Sequence, residues 1–468
     1  MARAATETDG ADAAAPPRPA PPGPFIDLPG FIDRQAVGRG QIALLLACAA
    51  ILFVDGFDTQ AIGYVAPAIA REWALPRGAL GPVFSAGLAG LMLGALALGP
   101  LADRLGRKRI IVLSIAAFGL GTLATLLARD TASLLVIRFL TGLGLGGAMP
   151  NAVAMTAEFS PQRRRATMVM IMFCGFSVGA ALGGLLAAVL IPALGWRSVF
   201  VVGGLAPLLL APLLALRLPE SVRFLALSGQ SDARIAAILT RLFPDQSFPP
   251  AARFGADEPH LAGLPVAHLF RERRSTVTLL LWVVFFMSLL DLYFLSNWLP
   301  TVLNDLGASV SMAAVAGAML QVGGVAGTLT LGRLIDRFSF NALALTYLAA
   351  AAAIVAIGYA GHSVGLAALA IFCAGFGIVG GQIAANALTA MFYPTAIRAT
   401  GVGWALGVGR AGSIIGPLIG GALLAMQWAS QPLFLVASVP ALCAAAAAWA
   451  LALTARPRAA APIEARPT

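Results

Sequence analysis

Charge is what this sequence has least of. Of its 468 residues, 11% are Asp, Glu, Lys or Arg, while 59% are hydrophobic. A soluble domain carries about 25% charged residues, so a soluble enzyme or scaffold is excluded and a polytopic membrane protein remains. Lysine is nearly missing: Lys108 stands alone among 31 basic residues, a bias that fits a GC-rich bacterial source. The histidines, His260, His268 and His362, all fall in polar loops, which leaves proton chemistry inside the apolar spans to carboxylates. Cys48, Cys174, Cys373 and Cys443 sit singly in separate apolar runs with no CxxC. They read as small core residues, so no disulfide or metal site is expected. There is no GxxxxGK[ST] loop for an ATP-driven pump. Nor is there a cluster of in-span histidines or metal ligands of the kind a membrane enzyme would use. The expectation is therefore not an enzyme, with no cofactor.

A span needs about 20 apolar residues, and the hydropathy pattern predicts an all-α polytopic membrane protein with twelve transmembrane helices in two parallel six-helix halves. The divisions expected are a disordered tail and lead-in (1–42), an N-terminal half (43–217), a linker (218–275), a C-terminal half (276–454) and a short tail (455–468). The Ala/Pro-rich start lacks the apolar core of a signal peptide. Twelve spans sort the loops into two sets. Arg71, Arg77, Arg129 and Arg197 lie on one side and Arg138 and Arg410 lie within spans, so the remaining 25 of 31 basic residues share the other side with both termini. By the positive-inside rule that side is cytoplasmic. The net charge of +10 is thus a topology signal, and no nucleic-acid partner is expected.

The chain repeats itself at an offset of 233 residues. FLTGLGLGGAMPNAVAMTAEFSPQRRRAT (139–167) lies over FCAGFGIVGGQIAANALTAMFYPTAIRAT (372–400) with thirteen of 29 pairs identical. The same offset pairs Gly99 with Gly332, Asp103 with Asp336, Gly179 with Gly412 and Pro67 with Pro300. Parallel duplications of this kind mark transporters whose substrate site lies between the halves near the bilayer midplane.

Between the second and third spans, GPLADRLGRKR (99–109) resembles the signature loop of the major facilitator superfamily, with GRLIDRF (332–338) as a weaker copy. DGFDTQAIGYVAPAI, RFLTGLGLGGAMPNAVAMTAEFSP and FYPTAIRATGVGWALGVGRAGSIIGP resemble the aromatic acid:proton symporter family within it. The resemblance covers all twelve spans. It implies the major facilitator fold and import of a small benzoate- or hydroxybenzoate-like carboxylate with protons by alternating access. The driving force would be the proton gradient, the place a bacterial inner membrane, the working unit a monomer and the physiological setting aromatic catabolism. A proton-coupled exporter, or a carrier of another organic acid or drug in the same superfamily, is the alternative.

Each site residue carries two readings. Asp55 and Asp58, three apart on one helix face, are costly mid-span, at about 2.5–3.5 kcal/mol for each charge. Close like charges disfavour double ionisation, so the pair reads as a proton-coupling site or as a structural hydrogen-bonded pair. Arg138 needs a carboxylate, Asp55 or Asp58, unless it snorkels to the interface. In the superfamily, an arginine in this motif is linked to proton coupling. Of the two acids, Asp55 is expected to be the coupling residue and Asp58 to lie nearer the substrate path.

Mid-span Arg410 is a natural fork for a carboxylate, either the substrate's or that of Asp291. Asp291 in turn reads as a proton site, a partner of Arg410 or a local structural acid. Tyr293 and Trp298, with Phe57, Phe173 and Trp404, are candidates for a ring slot, and Gln321, Gln382, Asn297 and Asn386 for its hydrogen-bonders. At the basic ends of the spans, Asp103, Arg107, Glu158, Arg165, Asp336 and Arg398 are gating candidates, with Glu158 expected to pair with Arg165 or Arg398. The bland reading of these charges is topology-setting alone.

Overall fold

A computed structural model describes residues 24–229, 231–249, 252–255, 265–271, 274–360, 363–393 and 395–454, apart from the side chains at 333, 336, 364, 395, 396, 398 and 399. Among the described residues, twelve helices are long and apolar enough to cross a membrane. They are span 1 (Arg39–Glu72), span 2 (Gly81–Leu105), span 3 (Arg107–Leu127), span 4 (Thr131–Glu158), span 5 (Gln162–Leu194) and span 6 (Arg197–Arg217). The second half holds span 7 (Ser275–Asp305), span 8 (Val310–Gly332), span 9 (Phe340–Tyr359), span 10 (Gly365–Phe392), span 11 (Thr400–Ala425) and span 12 (Ser430–Thr454). Helices satisfy their own backbone polar groups, which a hydrocarbon surrounding demands.

The 233-residue repeat is three-dimensional. A Cβ on Gly90 would strike the Phe139 carbonyl, and one on Gly323 the Phe372 carbonyl. Gly94 meets Leu143 as Gly327 meets Phe376, Gly142 meets Gly87 as Gly375 meets Leu320, and Gly179 meets Phe53 as Gly412 meets Phe286. Every one of these pairs keeps the offset. Small residues let the backbones of spans 2 and 4, 8 and 10, 1 and 5, and 7 and 11 touch, the packing that membranes favour.

The halves meet at the end away from the linker. There Ser85 Oγ donates to the Ile414 carbonyl at 2.7 Å, Ser311 Oγ to Ala188 at 2.7 Å, and Arg77 is paired with Asp305 at 2.7 Å. Gly78, at φ +82°, presses on the Gly421 carbonyl, a contact and a backbone angle that a side chain would spoil. At the linker end, by contrast, a Cβ on Gly99, Gly332, Gly403 or Gly407 would meet nothing within 4 Å. The bundle is sealed at the end away from the linker.

The lead-in and linker are more ordered than the composition implies. Strand β1 (Phe25–Asp27) pairs in parallel with β2 (Arg253–Gly255) of the linker. Phe31 of the helix Leu28–Arg34 packs edge-on against Phe243 and Phe248 at 5.6 and 5.3 Å. Asp33 accepts from the Gln162 backbone amide at 2.7 Å, capping span 5. The residues from 24 to 38 therefore form a small layer with the linker on the N-terminal half, rather than a loose tail.

Candidate functional site

Span 1 carries its acids where spans 3, 4 and 5 close around it. Asp58 is 1% exposed and receives Arg138 in a fork, Nη1 to Oδ1 at 3.2 Å and Nη2 to Oδ2 at 3.0 Å. Thr122 Oγ1 adds a 2.6 Å bond to Oδ1, and Arg138 Nη2 also donates to the Asp58 carbonyl at 3.3 Å. The glycine seam between spans 2 and 4 places Arg138 here, so its partner is Asp58 and it does not reach the interface. A narrow cavity lined by Asp58, Thr59, Phe84 and Arg138 leads to Asn297 of the other half.

Asp55 has a different setting. It is fully buried, and Thr59 Oγ1 donates to Oδ1 at 3.0 Å while Oδ2 has no partner among the described residues. The charge it senses across the interface is Arg410 of span 11. Asp58 is thus tied to Arg138 inside its own half, whereas Asp55 lies within electrostatic reach of Arg410 of the other.

Arg410 is only partly buried. Its Nη1 donates to the Tyr293 hydroxyl at 3.3 Å and its Nη2 to the Met149 thioether at 3.4 Å, both weak acceptors. Among the described residues it makes no ion pair, so the expected alternative of a bridge to Asp291 is not realised. Instead a guanidinium sits mid-bundle between the halves, with Tyr293 beside it and its hydroxyl proton free to donate. The repeat extends this centre. Gln60 is the counterpart of Tyr293, Gln382 of Met149 and Ser177 of Arg410, all at the 233-residue offset. Gln60 and Gln382 are buried, and none of their amide atoms has a partner among the described residues. The same holds for Gln321 Oε1 and Asn386 Oδ1.

Other expectations are corrected. Trp298 does not line the centre; its Nε1 donates to the Pro417 carbonyl at 2.9 Å and its ring packs on Phe84 at 5.0 Å in the sealed end. Phe57 fills the space over Gly183 and Gly203 inside its own half, and exposed Trp404 stacks on Trp282. Asn297 donates to its own helix at Tyr293. Asp291 is fully buried, and neither of its carboxyl oxygens has a hydrogen-bond partner among the described residues; nearby Tyr347 of span 9 bonds Ser288 Oγ at 3.0 Å instead.

At the linker end, Glu158 is bound by Arg107 at 2.6 Å, by Ser221 Oγ at 2.7 Å and by the Arg223 amide at 2.8 Å. It therefore ties the signature loop to the linker and does not pair with Arg165. The side chains of Asp336 and Arg398 lie outside the described residues. Asp103, 72% exposed, pairs with Arg107 at 3.8 Å and with no other basic residue among the described residues. Sequence reasoning missed Gln60 and Thr122, which only the fold brings to the acids. It also missed the Arg77–Asp305 pair, which joins the loop after span 1 to the last residue of span 7.

A family model described as Major Facilitator Superfamily matches residues 48–380 and 281–468. The chain is 43% identical over 436 residues to a gallate transporter of Pseudomonas putida, covering 92% of this chain and 95% of that one. It is also 43% identical over 425 residues to the 4-hydroxybenzoate transporter PcaK of Pseudomonas aeruginosa, covering 90% and 95%. A crystal structure of a bacterial homolog to the human lysosomal transporter Spinster, inward-facing and occupied, superposes with TM-score 0.69 at 20% identity, over 90% and 98% of the two chains. Together with the twelve spans and their repeat, these matches mean that the chain belongs to the Major Facilitator Superfamily, a family of membrane transporters and not of enzymes.

Proposed function

We propose that the protein imports a small aromatic carboxylate together with protons across a bacterial inner membrane. One observation carries the reading. Arg410, between the halves at mid-depth, is held only by a phenol and a thioether, which leaves a planar fork that matches a carboxylate. Tyr293 stands ready to donate beside it. The amides of Gln60 and Gln382 and the amide oxygens of Gln321 and Asn386, without partners among the described residues, offer hydrogen bonds to ring substituents. The gallate and 4-hydroxybenzoate transporters among the relatives carry substrates of this shape.

Asp55 is the coupling acid. It faces Arg410, so its protonation and the arrival of an anion on the guanidinium favour each other. The Asp58–Arg138 pair with Thr122 is the second element, positioning span 1 against span 4 and exchanging its proton as the halves rock. With the linker end and both termini cytoplasmic, the sealed outer end makes this the inward-facing state. Asp103, Arg107, Glu158, Arg165, Asp336 and Arg398 form the opposing gate when the linker end closes. One chain suffices for the cycle. The energetic need is plain: an anion entering against 100 mV costs about 2.3 kcal/mol per charge, and a co-transported proton cancels it.

Proteoliposomes with an inward proton gradient test this. Labelled 4-hydroxybenzoate should accumulate above equilibrium and leave when the gradient is collapsed. Efflux of drugs with no accumulation of any hydroxybenzoate would replace import with export.

A further inference from the structure

The repeat relates Asp58 of span 1 to Asp291 of span 7. In the first half, Asp58 is neutralised by Arg138 and Thr122. At the same offset the second half has Ile371 and Val355, and Ile371 is 1% exposed. The acid has been kept while its counter-charge and hydroxyl donor have been replaced by hydrocarbon. Asp291 is fully buried, and neither carboxyl oxygen has a hydrogen-bond partner among the described residues.

Among the described residues the surroundings offer no other compensation. Span 8 through Gly332, span 10 and span 12 contain no acidic or basic residue. In span 11, Arg410 is directed to Tyr293 and Met149. In span 1, Asp55 bonds Thr59 and Asp58 bonds Arg138. Tyr347 of span 9 is the titratable group within electrostatic reach, and its hydroxyl is engaged with Ser288 on the same helix as Asp291. An isolated ionised carboxylate in such a place is far too costly to keep, whereas a neutral one is tolerable.

We propose that Asp291 is a second proton-carrying site, which binds one proton per cycle beyond that carried by the acids of span 1. This rests on the symport reading above and fixes a consequence of it. The anion enters with at least two protons, so each turnover moves net positive charge inward.

The test is the coupling ratio, measured on the intact protein in proteoliposomes with the membrane potential clamped at zero. Each coupled proton multiplies the attainable accumulation of an anionic substrate by about 10 per unit of inward pH gradient. The wild type should therefore approach about 100-fold for 4-hydroxybenzoate at one pH unit, and Asp291→Asn about 10-fold. Charge moved per substrate should fall by one elementary charge, with KM and substrate counterflow preserved. A wild-type ratio of about 10-fold overturns the proposal without touching symport, and it does so whether or not the variant folds. An Asp291→Asn variant that keeps the wild-type ratio overturns it too. Absence of any response to the gradient in the wild type would instead remove the symport reading.

Discussion

Asp58 and Arg138 form a two-pronged ion pair between spans 1 and 4, with the acid 1% and the arginine 6% exposed at their side chains. Neither charge has water to fall back on. Removing one partner of such a pair costs about 3–5 kcal/mol, because the other is left buried and uncompensated. Asp58→Asn and Arg138→Leu should each lower thermal stability in detergent by that order. The double variant should regain much of the loss without regaining gradient-driven uptake. If the double variant is no more stable than the worse single one, the pair is not the unit described.

Arg410 predicts a loss of another kind. A charge-assisted hydrogen bond is worth about 1.5–3 kcal/mol, so Arg410→Gln should weaken binding of an aromatic acid roughly 10- to 150-fold. Arg410→Lys keeps the charge without the fork and should fall between. Thermal-shift titration of purified protein with 4-hydroxybenzoate reads this directly. An unchanged midpoint for Arg410→Gln would move the carboxylate site elsewhere.

The sealed outer end depends on Gly78. A side chain there meets the Gly421 carbonyl at a φ of +82°, and strain of this kind costs about 1–3 kcal/mol. Gly78→Val should shift the population towards the outward-open form by roughly 10-fold or more. In a background with the four native cysteines replaced, Thr301→Cys, which lines the outer vestibule, should react correspondingly faster with an impermeant thiol reagent. The exposed Arg77–Asp305 pair contributes less, about 0.2–1 kcal/mol, and Arg77→Ala should change that rate only slightly.

The sequence made the twelve spans, the duplication and the acidic pair of span 1 legible, because hydropathy, a fixed offset and a buried charge are all one-dimensional signals. Side-chain direction is not. Trp298 reads as a ring-slot aromatic until Gly81 and Pro417 are found to take it into the outer seam. Glu158 reads as a partner of Arg165 or Arg398, whereas the linker folds back and brings Ser221 and the Arg223 amide to it. Asp55 and Asp58 share a helix face, yet one is claimed by Arg138 and the other faces Arg410. Only the packing of neighbouring spans separates them. Gln60 lies inside the stretch DGFDTQAIGY, where its neighbours Asp55 and Asp58 carry the one-dimensional signal, and only the fold shows that its amide is buried without a partner among the described residues.

On the proposed reading, those amides would discriminate among substrates. Gln60, Gln321, Gln382 and Asn386 all retain buried polar atoms without partners among the described residues, and an unpaired buried group costs about 1–3 kcal/mol. A ring bearing a hydroxyl gives at least one of them a partner, whereas unsubstituted benzoate gives none. A site built to bond a hydroxyl discriminates strongly against the analogue that lacks it. 4-Hydroxybenzoate should therefore bind at least about 10-fold more tightly than benzoate, the equivalent of one such bond. Gln382→Leu removes an amide from the centre and should narrow the gap chiefly by weakening the hydroxylated acid. Competition by both acids against labelled 4-hydroxybenzoate uptake measures the ratio in wild type and variant. Equal inhibition by the two in the wild type would mean that the ring does not lie among these amides.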